Sequence, residues 1–300
     1  MNVDPSSGPV IVSTHGGVGI LELARPEKFN CLSTAAHAAI DAALSAFEHR
    51  DSGVRAVLVR ARGKHFCTGA DLDEVKRLRT DPDAMSSFIR QGHAVLRRME
   101  ASPLPVVAAV QGLCLAGGLE LMLACDVVFA TSSARFGDQH AEFGLVPGWG
   151  GSQRLPRVVG LRRSMDLFLS ARWIDAQTAL QWGLVNAVCE DGELHQQAFD
   201  YCAAMAGRSC NGLAAMKRLA RDGLEQPLDA ALKLEETQAT AALLGDDVGE
   251  GLAAFEQRRR PEFGSWCAER AATYCPDDST PRPIQNPANP AAQSDKSNPT

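Results

Sequence analysis

The order of apolar segments predicts an α/β fold wound from repeated β-β-α units and followed by a helical C-terminal region. Three observations carry that expectation. Runs rich in β-branched residues alternate with segments of helical period, an apolar helix opened by glycine follows a wholly apolar strand, and from about Leu161 the patterns become mainly helical.

Taken in order, Val10 to Val12 and Val18 to Leu23 read as strands around a His15-Gly16-Gly17 turn, so the chain begins with a hairpin. Ala35 to His49 carries Ile40, Leu44 and Phe47 at helical spacing and leads into an apolar strand over Val54 to Val59. A second helix over Met85 to Met99 precedes Pro103 and Pro105, then a buried strand at Val106 to Val110, a helix at Gly117 to Ala124 and a strand at Val127 to Ala130. Beyond Leu161, helices are expected at Met165 to Leu169, Asp175 to Trp182, Leu194 to Ala206 and Leu228 to Leu244, with Leu184 to Val188 strand-like. After Cys275 the composition is Pro, Asn, Ser, Asp, Thr and Gln, too poor in large apolar groups to offset the entropy of ordering. The organisation expected is a core and site in residues 1–200, a helical region in 201–270, and a disordered tail in 271–300.

A chain of 300 residues, 45% of them hydrophobic, can bury a large core. The formal charge of −6 argues against nucleic acid or an anionic membrane surface as partner, since both require clustered Lys and Arg. Residues 1–9 have neither a basic start nor an apolar stretch, and no apolar run is long enough to span a bilayer, so the expected location is the cytoplasm. The nine cysteines are scattered without a C-x-x-C pair, which favours free thiols acting as small apolar fillers and predicts no metal site.

Three segments carry chemistry. In Lys64-His65-Phe66-Cys67-Thr68-Gly69-Ala70-Asp71-Leu72, a glycine after an apolar strand lets the backbone turn tightly and brings an N–H close to a ligand, although an ordinary strand-to-helix turn looks the same. Gln111-Gly112-Leu113-Cys114-Leu115-Ala116-Gly117-Gly118-Leu119-Glu120 follows a strand and opens a helix, where unpaired N–H groups and the helix dipole suit a developing oxyanion. Glu120 lies among Leu119, Leu121, Met122 and Leu123, surroundings that raise a carboxyl pKa towards acid/base work; the alternative is an exposed first-turn glutamate serving the helix dipole. The third segment, from Phe136 to Leu155, has a glycine cluster but neither G-x-G-x-x-G nor G-x-x-x-x-G-K-[ST], which excludes a dinucleotide or P-loop reading.

Together these segments resemble the crotonase (enoyl-CoA hydratase/isomerase) superfamily, and the resemblance runs from Leu23-Ala24-Arg25-Pro26-Glu27 to Arg260-Pro261-Glu262-Phe263. It implies a crotonase-like spiral of β-β-α turns, a C-terminal helical oligomerisation region, and a trimer or dimer of trimers. It also implies an acyl-CoA thioester as substrate and no separate cofactor, coenzyme A being part of the substrate. Carried over by position, the N–H groups of Ala70 and Gly117 look like the oxyanion hole. Thr68, Asp71, Leu72 and Asp73 would line the CoA site, with the Thr68 carbonyl near the adenine, while Arg25 and Lys64 would contact CoA phosphate or ribose. Trp149, bulky where the family often has a small residue, would shape the acyl tunnel or simply pack.

One position departs from the family pattern. Hydratases of the family place two glutamates around a water; the first matches Glu120, but the second falls on His140. Imidazole can hold a water or pass a proton near neutral pH, so Glu120 and His140 are read as a mixed catalytic pair, with His140 as mere wall the alternative. Asp138 and Glu142, each two residues away, either supply the missing carboxylate or, for Asp138, orient the ring. The leading expectation is hydration of a trans-2-enoyl-CoA through a stabilised enolate. The alternatives are an isomerase or other enolate enzyme with Glu120 as main proton carrier, and a non-catalytic acyl-CoA-binding protein, separable by turnover of crotonyl-CoA against binding without turnover.

Overall fold

The computed structural model describes residues 8–264, so the tail expected beyond Cys275 lies outside the described residues. The chain runs β1 (Val10–His15), β2 (Val18–Leu23), α1 (Thr34–Glu48), β3 (Ala56–Ala61), α2 (Leu72–Leu78), α3 (Pro82–Ala101), β4 (Val106–Val110), β5 (Leu113–Leu115), α4 (Gly117–Leu123), β6 (Val127–Thr131) and β7 (Arg135–Gly137). It continues through α5 (Gly151–Val159), α6 (Leu161–Ser170), β8 (Ile174–Asp175), α7 (Ala176–Gln181), β9 (Ala187–Cys189), α8 (Leu194–Ala206), α9 (Cys210–Leu224), α10 (Leu228–Leu243) and α11 (Asp246–Glu256).

Six strands form one sheet in the order β1-β2-β3-β4-β6-β9, antiparallel only in the β1–β2 hairpin and parallel from β2 onward. Both faces are covered, which is why its inner strands are almost wholly apolar. Ile20, Leu58, Val107 and Ala109 pack on one side against Leu194, Ala198 and Cys202 of α8. The alternate residues Leu21, Val57, Val59, Ala108 and Val110 face Ile40, Leu44, Leu96 and Leu119 of α1, α3 and α4.

A second, smaller sheet, β5-β7-β8, supplies the spiral. Each turn lays one strand in the large sheet, crosses to a short rung in the small one, and returns through helix. Cys67 bridges Cys114 in β5, and Cys114 pairs with Phe136 in β7, so three successive turns stack rung upon rung. The spiral read from the sequence is therefore present.

Two strand boundaries are corrected. The strand expected at Val54 to Val59 runs from Ala56 to Ala61, because the Ser52 hydroxyl takes the Val54 N–H at 3.0 Å and holds that residue in the preceding turn. The strand expected at Leu184 to Val188 is confined to Ala187–Cys189, since the N–H groups of Leu184 and Val185 both return to the Ala179 carbonyl and close α7. Seven cysteines fall among the described residues, all buried and free. No helix among these residues is long and apolar enough to cross a membrane.

Candidate active site

The site gathers where three rungs of the small sheet end. After the Cys67 rung, Leu32 donates to Gly69 O at 2.7 Å and accepts from Asp71 N at 2.8 Å. In a parallel bridge of this form, the N–H and C=O of the intervening Ala70 point the other way, away from Leu32. After the β5 rung, Ala116 adopts φ 47° and ψ −119°, a strained conformation for a residue with a Cβ, and turns the chain sharply into α4. The next N–H, that of Gly117, opens the helix and has no intrahelical acceptor. A Cβ on Gly69 would lie 3.1 Å from the Gly117 nitrogen, so the two loops run side by side and bring the Ala70 and Gly117 amides together.

Glu120 follows Gly117 by three residues, which places it on the same helical face. It is buried, which removes the exposed first-turn alternative. Its Oε1 accepts two backbone N–H groups, from Trp149 and Gly151, both at 2.7 Å. A side chain at Gly151 would press on the carboxylate, its Cβ 3.1 Å from Cγ, so glycine is what lets the amide approach. Oε2 faces His140 Nε2 at 4.0 Å. Burial pushes the Glu120 carboxyl above its ordinary value, against the two N–H bonds and the His140 charge.

His140 leaves the β7 rung in a single turn of 3-10 helix, and its ring is buried. Its Nδ1 lies 2.9 Å from Asp138 Oδ1, so Asp138 orients the ring and directs Nε2 at Glu120. Burial opposes the imidazolium, but the hydrogen bond and charge of Asp138, with the charge of Glu120, outweigh it and raise the His140 pKa. Glu142, the other carboxylate weighed for this place, is exposed.

Trp149 is buried, with its six-membered ring against Gly117: a Cβ there would come within 2.6 Å of Cζ3. Its indole end reaches Gly92 of α3, and its ring packs in T-shaped contacts with His37 at a 4.6 Å centroid distance and Phe88 at 5.4 Å. The tryptophan thus walls the site on the side of the Gly117 amide.

The remaining residues singled out in the sequence make contacts of their own away from the Glu120–His140 pair. Arg25 pairs with Asp71 at 3.0 Å, and Asp71 also caps α2 by accepting from Asp73 N and Glu74 N. Asp73 pairs with Lys28 at 2.6 Å, Leu72 is 44% exposed, and Thr68 N donates to Phe29 O at 3.2 Å. Lys64 is exposed beside His65. No ion pair among the described residues joins this group to Glu120 and His140, and these residues contain no His, Cys, Asp and Glu cluster able to hold a metal. A cleft of about 1090 Å³ between α3, α5 and α9 is lined by Arg97, Glu100, Arg154, Lys217 and Arg221 and contains none of the proposed reacting groups. No sequence pattern marked Arg154 or the buried His37, and for the Trp149 and Gly151 amides on Glu120 the Gly150-Gly151 doublet was the one available signal.

A spiral of β-β-α turns that brings the Ala70 and Gly117 amides together near a buried carboxylate points to an enzyme class built on this fold. The enoyl-CoA hydratase/isomerase family profile matches residues 13–266, and the chain belongs to that family. A probable enoyl-CoA hydratase of Rhizobium meliloti is 34% identical over 254 residues, covering 85% of this chain and 97% of that protein. A 1,2-epoxyphenylacetyl-CoA isomerase of Escherichia coli is also 34% identical, over 249 residues, covering 82% and 95%. The crystal structure of an enoyl-CoA hydratase from Polaromonas superposes with a TM-score of 0.82 at 31% identity, covering 85% of this chain and 99% of that one.

Proposed function

We propose that the protein hydrates a trans-2-enoyl-CoA to a 3-hydroxyacyl-CoA, using Glu120 and His140 as an unlike acid/base pair. The observation that carries the reading is the buried Oε2 to Nε2 separation of 4.0 Å beside the Gly117 amide. That gap is too long for a direct hydrogen bond, yet a water set to one side can lie about 2.8 Å from both atoms. The thioester oxygen accepts from the Ala70 and Gly117 N–H groups, so charge developing on it as the β carbon is attacked is stabilised. Glu120 Oε2 removes a proton from the water as its oxygen bonds to the β carbon, and the imidazolium of His140 delivers a proton to the α carbon as the enolate collapses. Transfer from Glu120 to His140 then resets the pair. Asp138 holds the ring and favours its charged form.

The reading needs no cofactor beyond the CoA of the substrate. Arg25 and Lys64 are assigned to the CoA end, with Arg25 acting from its pair with Asp71. The segment 201–270 is assigned to subunit packing in a trimer or dimer of trimers, supported by the apolar groups it leaves exposed, among them Leu224, Leu244 and Phe255. The location assigned is the cytoplasm.

A second reading, double-bond isomerisation with Glu120 as the main proton carrier, is favoured by His140 standing where the second carboxylate is usual and by the isomerase relative at 34% identity. Turnover of crotonyl-CoA by the native chain, His140→Ala and His140→Glu separates the two. Hydration requires that the alanine variant be impaired and the glutamate variant active. Full activity in His140→Ala with an unchanged pH profile removes His140 from the mechanism.

A further inference from the structure

The Trp149 carbonyl has a partner that the proposed reaction does not use. Arg154, in the first turn of α5, donates from Nη1 to Trp149 O at 2.6 Å. The guanidinium lies so close to Gly150, at φ 103°, that a Cβ there would collide with Nη1. Its other edge is gripped by Glu100 near the end of α3, with Nε to Oε1 at 2.7 Å and Nη2 to Oε2 at 2.6 Å, the bidentate fork that fixes a guanidinium most firmly. Glu100 also receives Arg221 of α9 at 3.4 Å, and Arg221 and Lys217 both pair with Asp126 at 2.8 Å. The clamp is only 14% exposed at Arg154 and 21% at Glu100, so water does little to loosen it.

The clamped carbonyl lies between the two N–H groups, of Trp149 and Gly151, that bond Glu120 Oε1. We infer that Arg154 is a positioning residue: held by Glu100, it fixes the Trp149–Gly151 turn around Oε1 and so keeps Oε2 directed at His140. The inference rests on Glu120 being the proton carrier. Without the guanidinium, the Trp149 carbonyl and the Glu100 carboxylate both lose their partner, and the turn relaxes to find others. The two N–H bonds favour the ionised carboxylate, so weakening them moves Glu120 further towards its neutral form. The charged groups facing Glu120 are His140 and Asp138, and neither is touched by the change.

The test compares Arg154→Met, Arg154→Lys and Glu100→Gln with the native chain in crotonyl-CoA turnover across pH. For Arg154→Met the expected result is a kcat at least about tenfold lower, with KM changed by less than about threefold, because a sub-ångström misplacement of a reacting group is felt in turnover. The acid limb moves to higher pH, Arg154→Lys recovers part of the loss, and adding Arg154→Met to Glu120→Gln costs nothing more. Native kcat and acid limb in Arg154→Met, or losses that multiply in the double variant, overturn the inference, as does a fall in melting temperature alone. If Arg154→Met does not fold, Glu100→Gln, which keeps an acceptor but removes the charge, must show the same upward shift of the acid limb or the inference fails. Full turnover in Glu120→Gln overturns the reading of Glu120 along with it, whereas an impaired Glu120→Gln beside an unaffected Arg154→Met overturns the positioning role alone.

Discussion

Gly117→Ala tests whether the amide proposed for the oxyanion hole is held by packing. The new Cβ would sit 2.6 Å from Trp149 Cζ3 and 3.1 Å from Gly69 Cα, where ordinary contact begins at 3.4 Å. Relief requires the indole to retreat by about 0.8 Å and the Gly69 backbone by about 0.3 Å. The indole has nowhere to go, since Phe88 and His37 pack against it and Gly92 abuts its Nε1. The start of α4 therefore shifts instead, carrying the Gly117 N–H and Glu120 with it. Overpacking of this kind costs about 1–3 kcal/mol, offset by at most about 1 kcal/mol of improved helix propensity. Net destabilisation in urea unfolding should then be no more than about 3 kcal/mol, while displacement of an oxyanion donor lowers kcat by about 100-fold or more. Trp149→Leu in the same chain makes room and should recover a measurable part of the turnover. Native turnover in Gly117→Ala, within about threefold, would refute the argument that Trp149 fixes this amide.

Glu120→Gln keeps size and removes basicity; its kcat on crotonyl-CoA should fall at least about 100-fold with little change in acyl-CoA affinity measured by calorimetry. Asp138→Asn keeps an acceptor but removes the charge that helps to hold the imidazolium, so His140 titrates lower, and a neutral-range limb in the pH–rate profile should move to lower pH. Because the native His140 pKa is raised, its stabilising contribution is full below the unfolded value of about 6.5 and lost as pH rises through the folded one. Urea titrations of Asp138→Asn should lack that loss. His37 is the opposite case: fully buried, with neither ring nitrogen hydrogen-bonded, it is pushed down to about 4 by burial. The native chain should lose roughly 3 kcal/mol through this group as pH falls from about 6.5 to about 4, and His37→Phe should remove that part of its acid sensitivity.

Legibility in the sequence followed physical cause. Val106–Val110 and Leu194–Ala206 were read to the residue because a strand buried on both faces and a helix packed on a sheet leave unbroken apolar patterns. The three-residue rungs β5 and β7 are too short for any period to register. Helix α5 opens on two glycines and contains Pro156, features that normally mark a loop, and α2 is mostly charged and depends on the Asp71 cap. Glu120 was legible from its apolar neighbours, and His140 from the resemblance to the family. The role of Asp138 needed the ring's direction, and the Arg154 clamp depends on Glu100, 54 residues away, a pairing no local pattern encodes.

The stacked rungs at Cys67, Cys114 and Phe136 have a consequence for how this site tolerates change. Ala70, Gly117 and His140 each leave the stack two or three residues after a rung ends, so the spacing of the site is set by rung alignment and not by the lengths of the turns between. Insertions in the long excursions, such as the α2–α3 connection, lengthen a turn but return to the same rung. A single residue added inside β5 or β7 instead slides one exit by about 3.3 Å and reverses which way its side chains point. The excursions can therefore change length without disturbing the site, whereas the few residues from rung to exit must keep a fixed count.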